Sequence, residues 1–361
     1  MTEKLRSLLH DRATDVDFAT PDLDTLVRAG DHRRRRRSGA AVGGAAVLAV
    51  AGALLVPTLS GGDDPVGPAT DTTSTAPLPT GVLSWVTGSV IHAGDRETDV
   101  GVPVAAYVAN DTGYAVAGTD NSVYAVVDGA ISEIGRLDAD SVRLVTDHDS
   151  SLVGWVSTEG DLPAFVVHDL ATGERVLDDA ATAGKRPYFY ALDGDTAYWR
   201  DQRGAVAVDV TTGEVEVLED DALEGSGFDL IDVQDGVLAL NGTRGVEVGT
   251  SVQDARPLAQ LVEDNGVLSP RATMYAPDAE MLRVVGVGDG ADLSPRLTGY
   301  FFSTAYEWAD DETVHVIALD EDDPDADLLS CSVPTGTCEL VVDGAGRQGE
   351  LQLPVGSTLG E

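Results

Sequence analysis

Lysine is nearly missing from this 361-residue chain, which has only Lys4 and Lys185, so arginine supplies almost all of the positive charge. Acidic residues outnumber basic ones by 62 to 23, for a formal net charge of −39. A surface of that sign repels phosphate backbones, which excludes nucleic acid as a partner. It favours divalent cations or basic partners, and it keeps an exposed domain dispersed. Cysteine is scarce too, with only Cys331 and Cys338. Neither lies near the apolar segment described below, which excludes a lipid anchor there. Neither has a histidine nearby in sequence, which argues against a cysteine-built zinc site. Catalytic signatures are also missing: no Gly-x-Ser-x-Gly, His-Glu-x-x-His or phosphate-cradling glycine loop occurs. His92, His148, His168 and His315 are isolated, and His168 alternates within a strand as a surface residue does. The expectation is therefore no enzyme, no cofactor and no metal centre. An apolar content of 43% still suffices for a packed core.

Charge is unevenly placed. Residues 1–37 carry a net +2, and the remainder of the chain carries −41. Ser38 to Val56 is nineteen residues without a charge, and at about 1.5 Å per residue it reaches roughly 28 Å, close to a bilayer's hydrocarbon core. Arg33, Arg34, Arg35, Arg36 and Arg37 directly precede it, and Asp63 and Asp64 follow. The positive-inside rule then places a tail, 1–37, in the cytoplasm, a transmembrane helix at 38–57, and the rest outside the plasma membrane. A cleaved signal peptide is the alternative; the 37-residue leader and the lack of a small-x-small exit argue against it. Gly39 and Gly43 form a small-xxx-small pair through which two helices could dimerise. The tail reads as two short helices. One carries Leu5, Leu8 and Leu9; the other runs from Pro21 to Gly30 with Leu23, Leu26 and Val27, and each could dock a cytoplasmic partner. Residues 58–80 are Thr, Pro and Gly without apolar periodicity, a solvated linker.

From 81 to 361 the pattern is short β-rich runs broken by Gly, Asp and Thr. Phe165–Leu177 (FVVHDLATGERVL) and Ala205–Leu218 (AVAVDVTTGEVEVL) are near copies, each a hairpin around a Thr-Gly turn. Their turn glycines, Gly173 and Gly213, lie 40 residues apart; Gly336 turns a third hairpin 123 residues beyond Gly213, and Gly129 turns an earlier one. Weaker turns near Asp254 and Asp292 fill the gap. A period of about 40 with four strands per unit predicts an all-β propeller of six blades. A hairpin at Ser89–Val100 offers a seventh blade, completed by a C-terminal strand around Leu351–Leu353. The hairpin wording, x-hydrophobic-Asp-x-x-Thr-Gly-x-hydrophobic, resembles the outer strands of PQQ-like and WD40-like propellers. Leu177 and Leu218 stand where quinoprotein blades usually end in Trp, and the two cysteines are not vicinal, so the resemblance implies the fold without quinone chemistry. The whole layout resembles actinobacterial single-pass membrane proteins with an extracytoplasmic propeller, a group with no activity to carry over.

Three constellations invite chemistry. Cys331 and Cys338 flank Pro334-Thr335-Gly336, where a tight turn would bring them within reach of a disulfide in an oxidising compartment; free thiols are the alternative. Asp323, Asp325 and Asp327 echo a calcium loop, but its turn glycine and closing Glu are missing, so 320–327 reads as a solvated loop or a weak cation site. Residues 185–203 gather Lys185, Arg186, Arg200 and Arg203 with Tyr188, Phe189, Tyr190, Tyr198 and Trp199. Guanidinium groups beside aromatic faces suit sugars or anionic groups. Lys185, Arg186, Tyr188, Tyr190, Trp199, Arg200 and Arg203 are the candidate binding residues, for a protein or cell-wall polymer; core aromatics with locally neutralising bases are the plainer reading. The aromatics at 300–308 lack bases and read as core. The function expected is a membrane-anchored binding or scaffold propeller, with a transmembrane sensor as the alternative. Carboxylates or His clustered at the mouth of the central channel would favour catalysis instead.

Overall fold

The computed structural model describes residues 82–138, 142–160, 162–180, 187–219, 229–242, 245–258, 265–347 and 349–357. The tail, the transmembrane segment and the linker lie outside the described residues, as do Lys185 and Arg186. Among the described residues no helix is long and apolar enough to cross a membrane.

Three strands open the domain: β1 (Ser84–Thr87), β2 (Val90–Ala93) and β3 (Arg96–Asp99). Six sheets follow in sequence. Blade one is β4 (Val104–Asn110), β5 (Gly113–Gly118), β6 (Ser122–Val127) and β7 (Ala130–Arg136). Blade two is β8 (Leu144–Thr146), β9 (Leu152–Ser157), β10 (Ala164–Asp169) and β11 (Glu174–Ala180). Blade three is β12 (Tyr188–Asp193), β13 (Thr196–Asp201), β14 (Gly204–Asp209) and β15 (Val215–Glu219). Blade four is β16 (Asp229–Gln234), β17 (Val237–Gly242), β18 (Gly245–Gly249) and β19 (Arg256–Pro257). Blade five has β20 (Gly266–Leu268), β21 (Met274–Pro277) and β22 (Val285–Gly286). Blade six is β23 (Phe302–Trp308), β24 (Thr313–Leu319), β25 (Asp325–Ser332) and β26 (Thr337–Arg347). The chain then returns as β27 (Leu351–Gln352), which pairs with β1 through Thr87↔Leu351 and Val86↔Gln352. That pairing supplies the inner strand of blade seven, in the order β27-β1-β2-β3.

The count is therefore seven. Gly129, Gly173, Gly213 and Gly336 turn the outer hairpins of blades one, two, three and six, and Asp254 sits in that of blade four. Asp292 marks blade five, whose fourth strand shrinks to one bridge, Val285↔Asp292. The repeated Asp-x-x-Thr-Gly wording has a local cause. Asp209 Oδ1 accepts the backbone N–H groups of Thr211 (2.9 Å) and Thr212 (2.7 Å), and Asp169 does the same for Ala171 (2.9 Å). Gly173 and Gly213 follow at φ 72° and 71°, a left-handed conformation that a side chain would strain.

Blades pack through alternating apolar faces. Trp199 stacks on Phe165 with ring centroids 4.5 Å apart, and Phe189 meets both edge-on, all three fully buried. Gly154 makes room, since a Cβ there would come within 2.5 Å of the Phe189 ring. His168 departs from the surface position expected of it. It is buried against Trp155, neither ring nitrogen has a partner, and burial with the Arg175 charge lowers its pKa. The aromatics at 300–308 divide: Tyr306 and Trp308 are buried, whereas Phe301 is 53% exposed.

In blade six the register sets Cys331 opposite Cys338, with Cα atoms 4.0 Å apart and sulfurs at bonding distance, 2.05 Å. At 320–327 the acidic side chains turn back on their own chain. Asp320 accepts from the Asp322 N–H, Asp323 from Asp325, and Asp327 from Gly344 and the Tyr300 hydroxyl.

Part of the acid excess holds neighbouring blades together. Asp147 of blade two accepts the Gly194 N–H of blade three at 3.0 Å. Asp193 of blade three accepts Asp235 (3.0 Å) and Gly236 (2.8 Å) of blade four. Asp232 of blade four accepts Leu268 of blade five at 2.8 Å, and Asp311 of blade six accepts Arg271 of blade five at 2.8 Å.

Candidate functional site: the axial cavity

Each blade is an up-and-down meander, so the innermost strands run side by side in one direction around the axis. We call the face where they begin the upper face and the face where they end the lower face. Between them lies a cavity of about 190 Å³, walled by residues of β4, β8, β12, β16, β20 and β23 and by Pro354 and Val355. The segment after β27 turns into this channel: the Gly356 N–H donates to Tyr107 O (2.9 Å), and Gly356 O accepts from Leu144 N (2.8 Å).

Three inner strands are bulged where they meet the cavity. The register slips between Phe189 and Ala191, between Leu230 and Asp232, and between Ala305 and Glu307. A bulge inserts one residue into the strand and re-aims its neighbours. In each of the three, both residues of the bulge reach the cavity wall: Tyr190 with Ala191, Ile231 with Asp232, Tyr306 with Glu307. Strict alternation would have turned one of each pair away.

The charged groups on this wall are Arg143, Asp232, Glu307 and His148. Arg143 donates to Tyr190 O at 3.1 Å and lies over the Tyr188 ring at 5.1 Å, and its Nε is buried without a partner. Asp232 uses one carboxylate oxygen for the Val233 N–H and the other for Leu268, both at 2.8 Å. Burial pushes its carboxyl up to about 7; the two backbone N–H groups and Arg143 oppose the rise, and Asp193 adds to it. Glu307 faces His315 Nδ1 at 3.3 Å. At the lower mouth His148 Nδ1 lies 3.2 Å from Asp149, and with Asp111 these offer three ligand atoms within 4.8 Å of one another.

The candidates from 185–203 take different places. Tyr188, Tyr190 and Arg200 gather at the upper rim. Arg200 stands 5.8 Å and 5.9 Å from the two tyrosine ring centroids and pairs with Asp229 at 3.6 Å. The Tyr190 hydroxyl donates to Asp229 at 2.6 Å; burial, then that hydrogen bond, raises its pKa. Trp199 is in the blade interior, with its indole N–H on Asp201. Arg203 binds the buried Asp201 through its backbone N–H and its guanidinium. Burial alone would raise the Asp201 carboxyl, and Arg203 with Trp199 outweighs it and lowers it.

Arg143, Asp232 and Glu307 were not apparent from sequence as a group. Each is a lone charge on a different blade, and 75 residues separate the two carboxylates. The signal that reaches them is the repeat itself. Ala191 and Asp232 occupy the same post-bulge position 41 residues apart, and an acid at a position that is small and apolar one blade earlier is the anomaly.

No family profile matches the chain, and neither does any curated protein. Among solved structures it is similar to the β-propeller domain of the Trilobed protease from Pyrococcus furiosus, at 12% identity over 75% of this chain and 98% of that one, with a TM-score of 0.50. It is also similar to the computationally designed Ika8 protein (16% identity, 76% and 87% covered, TM-score 0.47) and to TolB from Acinetobacter baumannii (15%, 70% and 68%, TM-score 0.40). At 12% identity the likeness to the Trilobed protease domain is one of fold, and the strand order defines it: the chain is a seven-bladed β-propeller.

Proposed function

We propose that this protein is a membrane-anchored binding propeller, held outside the cell by residues 38–57, which takes its partner at the upper mouth of the axial channel. The observation that carries the reading is the cavity wall, where bulges in blades four and six turn Asp232 and Glu307 onto a common space that Arg143 of blade two also lines. A guanidinium, two carboxylates and aromatic faces form a recognition surface, and Tyr188 and Arg200 extend it to the rim. A photo-crosslinker placed at Tyr188 should form adducts in intact cells, whereas one at the exposed Val176 on the outer strand of blade two should not. Equal or reversed labelling would move the binding face elsewhere. The anchor has its own test: protease added to spheroplasts should digest everything beyond about residue 60 and spare the tail. An epitope at residue 2 reached from outside would overturn that topology.

One observation favours catalysis as a second reading, the grouping of Asp111, His148 and Asp149 at the lower mouth. Hydrolysis of ester or phosphate substrates that is lost in His148→Ala would establish it; its absence across such a panel would remove it.

A further inference from the structure

We infer that the axial cavity is a recognition site for a small organic cation, an alkylammonium of roughly six to ten heavy atoms, held by Asp232 and Glu307 against Tyr190 and Trp308. The inference rests on the axial-cavity reading above and adds the class of ligand.

Size comes first. At about 30 Å³ per water, 190 Å³ holds roughly six waters, which suits a ligand of that scale. Charge comes second. Arg143 is the one arginine or lysine on the wall among the described residues; it donates to Tyr190 O, lies over the Tyr188 ring and faces the field of Asp232, which leaves its Nε as the single unpartnered cationic donor against two carboxylates. His148 is drawn to Asp149 at the lower mouth. Asp232 and Glu307 are less completely used. Each Asp232 oxygen takes one backbone N–H and keeps a further lone pair, and one Glu307 oxygen meets His315 Nδ1. An anion entering here would meet both carboxylates, whereas an ammonium meets two acceptors. Aromatic surface comes third: Tyr190, Tyr306 and Trp308 border the same space from the blade interfaces in which they are packed, and the little of each ring that reaches it is an apolar wall that suits the alkyl part of the ligand. The acidity of the whole chain points the same way, since it raises the local concentration of cations.

A proton is linked to this site. The groups acting on Asp232 are Arg143 from blade two and Asp193 from blade three, with the backbone of Leu268 from blade five; Glu307 and His148 share the cavity. With its carboxyl near 7, Asp232 is mostly neutral at pH 5.5 and mostly charged at pH 8. A bound cation favours the charged form, so affinity should rise with pH over that range and binding should release a proton.

The test is calorimetric titration of the full-length chain in detergent with choline and ethanolamine, and with succinate as the anionic probe. One saturable site is expected for choline or ethanolamine, about ten-fold weaker at pH 5.5 than at pH 8. Glu307→Gln and Asp232→Asn should each weaken it by about ten-fold or more, while Arg347→Gln on the surface leaves it unchanged. Glu307→Gln keeps the test valid if loss of a backbone acceptor unfolds Asp232→Asn, and the wild-type pH dependence needs no variant. If succinate alone binds, and Arg143→Gln abolishes it, the cation class is overturned and the axial cavity stands. If no probe binds at either pH, or cation binding ignores both carboxylate variants, the inference is overturned, and crosslinking at Tyr188 still judges the rim separately.

Discussion

The two sides of one strand pair, β12 with β13, have opposite fates. Toward the blade interior, Phe189 and Trp199 are fully buried with Phe165 in a stack closed on all sides. On the other side, toward blade four, Tyr190 is buried with Leu230 and Val233, and above it Tyr188 and Arg200 form a charged aromatic rim shared with Arg143 and Asp229. These residues are neighbours in sequence and of similar chemistry, so composition alone puts them in one patch. Pleat alternation separates them, and the bulge at Tyr190 keeps Ala191 on the same side as Tyr188 and Tyr190. A dense cluster in a β-rich sequence thus reads as two half-clusters until its register is known.

Substitutions can break this contrast. Trp199→Ala should be the most damaging, costing about 3–5 kcal/mol in chemical unfolding, because its cavity opens inside an aromatic stack. A loss below about 1 kcal/mol would mean that the blade interior is looser than described. Reducing the Cys331–Cys338 bond, or changing both residues to Ser, should cost about 2–3 kcal/mol by freeing the outer hairpin of blade six. Non-reducing mass spectrometry should recover the two joined in exported protein, and free thiols would contradict the extracytoplasmic placement.

The arginines sharpen the comparison at smaller cost. Arg203→Gln should destabilise by about 1–3 kcal/mol, since it strips the guanidinium from a carboxylate that is 2% exposed. Arg200→Gln should cost less than about 1 kcal/mol, because its ion pair with Asp229 is solvent-exposed and screened. Equal effects would erase the distinction between the rim and the interior.

An effect of similar size is expected as a pH slope. Asp232 has its folded carboxyl near 7 against an ordinary value of 3.8, so between those values the folded chain holds a proton that the unfolded chain has released. Stability from this group is therefore fullest below about pH 4, declines as pH rises toward 7, and is constant above. The gap between wild type and Asp232→Asn should shift by about 1 kcal/mol between pH 4 and pH 8, after allowance for the channel's solvent. A gap that does not change with pH would mean that the carboxyl titrates normally.

The outer hairpins of blades two and three were the most legible in the sequence because their turn chemistry works locally: an Asp that accepts its own backbone N–H groups and a Gly at positive φ. Ring closure was legible from Leu351–Leu353 because a hairpin with no inner strand needs one. The cavity was not legible, because its charges come from separate blades and meet only through ring geometry. His168 was misplaced for a related reason: alternation separates two faces, and in a blade packed on both sides neither face is solvent.

The account stands most directly on where a ligand is felt. The chain has four tryptophans, each replaceable by a fluorine-labelled analogue. Trp308 lines the axial cavity, Trp155 and Trp199 are enclosed in blade interiors, and Trp85 stacks on His92 in blade seven. Fluorine NMR of the full-length chain, titrated with the low-mass fraction of its own cell envelope, should move the Trp308 resonance and leave Trp155 and Trp199 in place. Movement of Trp85 with Trp308 unchanged, or no movement of any of the four, would contradict an axial binding site.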